Sequence, residues 1–220
     1  ISVNQLRNVD IEDLLRREPV RTNTQDVAAM LAGKKVMITG AGGSIGSELC
    51  RQIAQIGPAS LILLGHGENS LFQIEAELRR RWPQIAPNVI VADIRDEQRL
   101  RAVFERTRPN VLFHAAAHKH VPMMESNSED AITNNIGGTR TLVRLAEQCG
   151  VERFVLISSD KAVNPANIMG ATKRAAEIIV QNTARRTGRR YVSVRFGNVL
   201  GSRGSVVPMF REQIARGGPV

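Results

Sequence analysis

The segment Thr39-Gly40-Ala41-Gly42-Gly43-Ser44-Ile45-Gly46 follows the apolar run Lys35-Val36-Met37-Ile38-Thr39 and opens a stretch of helical periodicity. Four more short apolar runs follow, Leu61-Leu64, Val89-Val91, Val111-Phe113 and Phe154-Ile157, and Tyr191-Val194 makes a sixth. Each is continuous rather than alternating, as in a strand buried on both faces of a parallel sheet. Helical patterns fill the intervals at 44–56, 69–81, 96–107, 128–149 and 170–187. Strict β-then-α alternation with connections of this length predicts an α/β fold, a doubly wound parallel sheet with right-handed crossovers.

Residues 1–33 are polar with two weak apolar stripes, Ile11, Leu14 and Leu15, then Val27, Met30 and Leu31. They read as a leader that docks on a domain spanning 34–198. Beyond Asn198 the rhythm gives way to a glycine-rich segment, 199–220, the expected start of an incomplete substrate-binding region. The chain begins at Ile1 rather than Met, and it reads as a piece of something longer.

Glycines at 40, 43 and 46 let a backbone turn sharply and approach a pyrophosphate, whose charge the start of the next helix favours. The position after the first strand makes the loop a dinucleotide site, with Gly40, Gly42, Gly43, Ser44, Ile45 and Gly46 as its contacts. The second strand is followed by Gly65 rather than the usual acid, which leaves the adenosine ribose to Glu68, Asn69 or Ser70. No arginine lies between positions 52 and 78 to hold a 2′-phosphate, which favours NAD over NADP. Asp93 and Ile94 are placed to flank the adenine. Ala115, Ala116 and Ala117, after the fourth strand, are small enough for a cofactor to pass. Beyond them, His118 and Lys119 are candidates to fix an anionic substrate.

The net charge of +9 comes from 30 basic residues, only five of them lysines. Most arginines are scattered at helical spacing and others cluster at expected helix ends, a pattern that does not point to nucleic acid. The histidines around position 118 lack a local carboxylate or cysteine, so no metal is expected. Cys50 and Cys149 fall in helical patterns and suggest a reducing compartment. No apolar run approaches the roughly 20 residues of a membrane helix.

The glycine loop, Asp-Ile-Arg-Asp, His114-Ala-Ala-Ala-His-Lys-His-Val-Pro122, Asn134-Asn135, Ser158-Ser-Asp-Lys-Ala-Val-Asn-Pro165, Met169-Gly-Ala-Thr-Lys173 and Arg195-Phe-Gly-Asn-Val-Leu-Gly-Ser202 occur in this order. Together they resemble the extended short-chain dehydrogenase/reductase superfamily and, within it, the CapD-like polysaccharide-biosynthesis proteins, over about residues 35–220. The resemblance implies a Rossmann-type cofactor domain and an NAD-dependent 4,6-dehydratase acting on a UDP-N-acetylhexosamine, of the form that retains configuration at carbon 5. It also implies a homo-oligomer, and a full-length protein anchored in the membrane with this portion on the cytoplasmic side.

Met169 stands where that superfamily carries its tyrosine. By similarity the proton chemistry moves to Asp160, the acid for the leaving 6-hydroxyl, and Lys161, the base at carbon 5, with Ser159 on the substrate oxygen. Lys173 would hold the nicotinamide ribose. Asn135, Asn198, Ser202 and Arg203 would contact substrate. The acid role requires Asp160 to hold a proton and Lys161 to lose one near neutral pH. A nucleotide-sugar epimerase, and a redox-inert NAD-binding regulatory domain, are the competing readings.

Overall fold

The computed structural model describes residues 24–202 and 204–220. The chain divides into a large unit, Ala28–Gly197, and a second unit that contains Asn198–Val220.

The large unit is built on a six-stranded parallel sheet in the order β3-β2-β1-β4-β5-β6. The strands are β1 Lys35–Thr39, β2 Ser60–Gly65, β3 Asn88–Val91, β4 Val111–His114, β5 Arg153–Ile157 and β6 Arg190–Val194. The helices are α1 Thr24–Leu31, α2 Ser44–Ile56, α3 Glu68–Arg81, α4 Glu97–Thr107, α5 Val121–Ser126, α6 Ser128–Ala131, α7 Thr139–Gln148 and α8 Ile168–Thr187. All strand pairs are parallel, with β1 between β2 and β4. The sheet order therefore reverses at β1 and β4, the switch point where open α/β sheets bind ligands.

Apolar strand residues explain this burial. Val36 and Ile38 point to the layer of α2 and α3 with Cys50, Ile53, Leu71 and Leu78. Met37, Leu112, Phe154 and Leu156 point to the other layer with Leu100, Phe104, Leu142 and Val180. Leu31 of α1 is fully buried, whereas Val27 is exposed. The stripe at Ile11, Leu14 and Leu15 lies outside the described residues.

Two departures from the expected elements matter. The pattern over 128–149 is one helical stretch interrupted by a π segment, Ile132–Gly138, which brings the adjacent Asn134 and Asn135 both into the interior. In the second unit, α9 spans Val206–Ala215, within the segment read from sequence only as glycine-rich. Val206, Met209, Phe210 and Ile214 recur on it at helical spacing, a signal masked by the glycines on either side.

Candidate active site

The glycine loop joins β1 to α2. Gly40 has φ +68°, and a Cβ there would lie 2.7 Å from the nitrogen of Ala116, so β1 and the Ala115–Ala117 turn after β4 approach as only glycine permits. At Gly46 a Cβ would collide with the carbonyl of Gly40, which makes the tight entry into α2 dependent on that residue as well. Ser44, Ile45 and Gly46 form the first turn of α2, which starts at Gly43 with no side-chain cap. The loop thus faces a ligand with backbone and a helix N-terminus, the chemistry a pyrophosphate needs.

Around it, Glu68 and Asn69 are exposed in the first turn of α3, and Ser70 lies against Gly42 while donating its hydroxyl to the carbonyl of Gly67 at 2.8 Å. In the sequence no arginine lies between positions 52 and 78, and Arg79, Arg80 and Arg81 lie at the far end of α3. The residues present fit a dinucleotide such as NAD.

Asp93 and Ile94 part company. Asp93 accepts from Arg95 at 2.6 Å, and this hydrogen bond holds its carboxyl below the usual range against a partial desolvation. Ile94 is 4% exposed and fills the space beside Gly138, so its side chain belongs to the core and only its backbone is left for an adenine.

Arg95 also pairs with Asp130 at 2.8 Å, and Asp130 receives the Nε2 of His118 at 2.7 Å. His118 is therefore held by its ring, and Lys119 beside it is exposed. Asn135 does not act as an open substrate contact. It is 2% exposed, accepts the N–H of His118 at 2.9 Å, and donates to the carbonyl of His118 and to Thr172. In this structure Asn135 braces the loop after β4, its amide engaged inside the protein.

That brace continues inward. Thr139 donates to the carbonyl of Asn135 at 2.6 Å, so it accepts from Nε2 of His114, and Nδ1 of His114 accepts from Thr39. This order fixes one neutral tautomer. Burial, with the charge of Lys173, pushes the His114 pKa down to about 3.

At the end of β5 the chain makes a 3-10 turn, Asp160–Ala162, started by Ser159, whose Oγ accepts the N–H of Lys161 at 3.2 Å. Ser159 also donates to Asp160 at 2.8 Å, and Lys161 reaches the same carboxylate oxygen at 3.1 Å. Sequence-adjacent Ser159, Asp160 and Lys161 are thus one hydrogen-bonded group. The bonds from Ser159 and then Lys161 pull the Asp160 carboxyl below its ordinary range. These bonds favour the ionised carboxylate over the standing proton that the acid role asks for.

The turn is locked to α8: a Cβ on Gly170 would strike the carbonyl of Lys161, and Asn167 caps α8 by accepting from Gly170 at 2.7 Å. Lys173, one turn further, is 7% exposed and donates to the carbonyl of Ile157 at 2.6 Å. Burial lowers its pKa to about 8, with Glu177 opposing. Met169 is 3% exposed and packs with Met124 and Ala131, so it contributes apolar packing and no polar group. Tyr191 cannot replace the missing tyrosine, since its hydroxyl bonds Val151 at the opposite end of the sheet.

Glu177 was not singled out from sequence. It is 1% exposed and meets Arg195 at 2.6 Å and Arg174 at 2.9 Å. Burial raises its carboxyl, but the guanidinium of Arg195, then Arg174, outweigh that and bring it to about 2. Its spacing of four from Lys173 on a buried helix face was the available signal. Asn198 and Ser202 belong to the second unit, where the carbonyl of Ser202 accepts from Ser205. Arg203 lies outside the described residues.

Comparison with known proteins agrees with this geometry. Residues 36–220 match the family model described as "Polysaccharide biosynthesis protein". The chain is 49% identical to the capsular polysaccharide biosynthesis protein CapD of Staphylococcus aureus over 222 residues, covering all of this chain and 37% of that protein. It is 41% identical to the uncharacterized membrane protein MJ1061 of Methanocaldococcus jannaschii, covering 89% and 58%. It is 34% identical to a UDP-N-acetylglucosamine 4,6-dehydratase (inverting) of Campylobacter jejuni, covering 86% and 56%. The X-ray structure of Pen from Bacillus thuringiensis superposes with TM-score 0.77 at 34% identity, covering 84% of this chain and 58% of that one. A dTDP-glucose 4,6-dehydratase from Streptomyces venezuelae with NAD bound shares the fold, at TM-score 0.72 and 22% identity, covering 84% and 63%. The chain spans little more than a third of the length of the CapD protein. With a family model matched across residues 36–220 and the sheet order of its relatives, the chain belongs to the CapD-like polysaccharide biosynthesis proteins of the extended short-chain dehydrogenase/reductase superfamily.

Proposed function

We propose that the protein carrying this chain is an NAD-dependent nucleotide-sugar 4,6-dehydratase acting on a UDP-N-acetylhexosamine. The observation that carries the reading is the Ser159–Asp160–Lys161 group at the end of β5, one strand from the glycine loop's switch point. Simple 4-epimerisation has no use for such a pair. The 34% identical relative named as a UDP-N-acetylglucosamine 4,6-dehydratase supports the same substrate class.

NAD, held by the glycine loop and the Ala115–Ala117 turn, would supply the hydride acceptor for sugar carbon 4 and the donor for carbon 6. The protein's residues move the protons. Ser159 fixes the oxygen at carbon 4, whose hydroxyl proton passes to solvent through an ordered water as the hydride leaves. Lys161 takes the proton at carbon 5, acidified by the neighbouring ketone, and returns one there after the hydride reaches carbon 6. Asp160 delivers a proton to the departing 6-hydroxyl.

The hydrogen bonds from Ser159 and Lys161 favour the ionised form of Asp160, the reverse of what the acid step needs. One proton passing across the 3.1 Å contact from Lys161 to Asp160 gives the neutral acid and neutral base together. Water favours the charged pair, so a bound sugar that excludes water shifts the pair toward the neutral form. Lys173, anchored on Ile157, is placed for the nicotinamide ribose.

In this reading residues 34–198 form the cofactor domain, ending at the substrate contact Asn198, and 199–220 open the nucleotide-sugar region with Ser202 and Arg203 as further contacts. Residues 1–33 link it to a membrane-anchored part, consistent with the relative named as a membrane protein. Among the described residues no helix is long and apolar enough to cross a membrane.

The test is incubation of the NAD-loaded protein with UDP-N-acetylglucosamine, following loss of water by mass spectrometry and solvent deuterium at carbon 5. NAD-bound protein giving neither defeats the proposal. A product of unchanged mass but altered configuration assigns the chain to the epimerases instead.

A further inference from the structure

Parallel strands all start, and their crossover helices all end, at one edge of a doubly wound sheet, opposite the ligand crevice. In the unit Ala28–Gly197 that edge is strongly basic. Lys35, Arg153 and Arg190 begin β1, β5 and β6, and Arg80, Arg106 and Arg185 occupy the last turns of α3, α4 and α8. None of the six side chains has a carboxylate partner among the described residues. The crevice edge differs: Asp93, Glu97, Glu125, Asp130 and Asp160 stand there beside Arg95, Arg99, Lys119 and Lys161, so the two signs offset each other. The charge of the domain is therefore polarised along the strands.

Cations facing helix C-terminal dipoles account for Arg80, Arg106 and Arg185. They do not account for the strand starts. Arg153 and Arg190 are register partners on neighbouring parallel strands, and the carboxylates of this edge, Glu152 and Glu147, are already paired with Lys34 and Arg186. The same edge carries the chain's one tryptophan, Trp82, half-buried with Arg81 stacked 4.7 Å from its ring centre. Residues preceding β1 also reach the sheet here, through Lys34.

We propose that this edge rests on the anionic headgroups of a lipid bilayer, with the crevice turned away from the membrane. A broad cationic face with an amphipathic indole fits a charged lipid surface. It lacks the row of aromatic side chains on which single-stranded nucleic acid stacks. The proposal does not depend on the reaction above, and a protein without dehydratase activity would still show it.

The test mixes the 220-residue chain with phosphatidylcholine vesicles, with and without phosphatidylglycerol, and reads energy transfer from Trp82 to dansyl-labelled headgroups. Transfer is expected only with phosphatidylglycerol and is expected to fade with added salt. Each cation near an anionic surface is worth about 1 kcal/mol, so R80Q/R106Q/R185Q weakens binding by about a hundredfold. R99Q/R101Q/K119Q removes the same charge from the crevice edge and is expected to weaken it by less than about tenfold. Should the first triple lose its cooperative melt, K35Q/R190Q replaces it on the same scale. Equal losses in both variants, no transfer to anionic vesicles, or displacement from them by duplex DNA at equal charge concentration would each overturn the proposal.

Discussion

Asn135 grips both peptide atoms of His118, accepting its N–H at 2.9 Å and donating to its carbonyl at 3.1 Å. A buried polar group left without a partner costs about 1–3 kcal/mol. Asn135→Ala is expected to lower the unfolding free energy by that amount in urea titrations. Asn135→Asp should do no better, since it keeps the acceptor but loses the donor and buries a charge. A variant as stable as the parent would show that the loop after β4 does not rely on this clasp.

Separate proton-transfer roles for Asp160 and Lys161 predict separable defects. Lys161→Met should abolish both water loss and deuterium incorporation at carbon 5. Asp160→Asn should slow water loss by about 10²–10⁴-fold while carbon 5 still exchanges. Identical patterns in the two variants, read by mass spectrometry, would refute the division of labour.

Lys173 gives a pH signature. Its folded pKa is lowered to about 8 from an ordinary 10.5, so above pH 8 the unfolded chain binds the extra proton and stability rises until about 10.5. Cys50 works in the opposite sense, because burial raises its thiol to about 12. The difference between the parent and Lys173→Met isolates the lysine: the parent should gain stability relative to the variant across that window. On the acid side, Glu177, lowered to about 2, contributes stability present above about pH 4.5 and lost as pH falls toward 2.

Gly40→Ala should damage the cofactor loop through the backbone, since φ +68° and the nearby Ala116 nitrogen leave no room for a methyl. Calorimetric titration with NAD is expected to show affinity reduced at least about tenfold, with a stability loss of roughly 1–2 kcal/mol for the left-handed residue. Unchanged affinity would remove the loop from the cofactor site.

Much of the fold was written in continuous apolar runs, and each strand lies within a residue of its run; β1 and β2 are buried on both faces, whereas the edge strand β6 leaves Val192 and Val194 exposed. Helix α5 escaped notice because Val121-Pro122-Met123-Met124 is too short to display a period. Alternatives at the site had a different origin. Asn135 and Asp93 carry groups suited to a ligand, and nothing in the order of residues reveals that His118 and Arg95 occupy them first. Met169 was legible as a missing proton donor, but its packing against Met124 depends on α5. Adjacent Ser159, Asp160 and Lys161 were legible as a group because neighbours in the chain need only a turn to meet.

The π segment Ile132–Gly138 makes the site sensitive to chain length rather than to composition. A π turn accommodates one residue more than the α ladder around it, and removing a single residue between 132 and 134 would let the helix regularise. Each residue in an α-helix turns the chain by about 100°, so either the clasp on His118 or the seating of α7 would rotate out of place. A one-residue deletion that leaves every named side chain intact should therefore be more harmful than most substitutions in the same stretch.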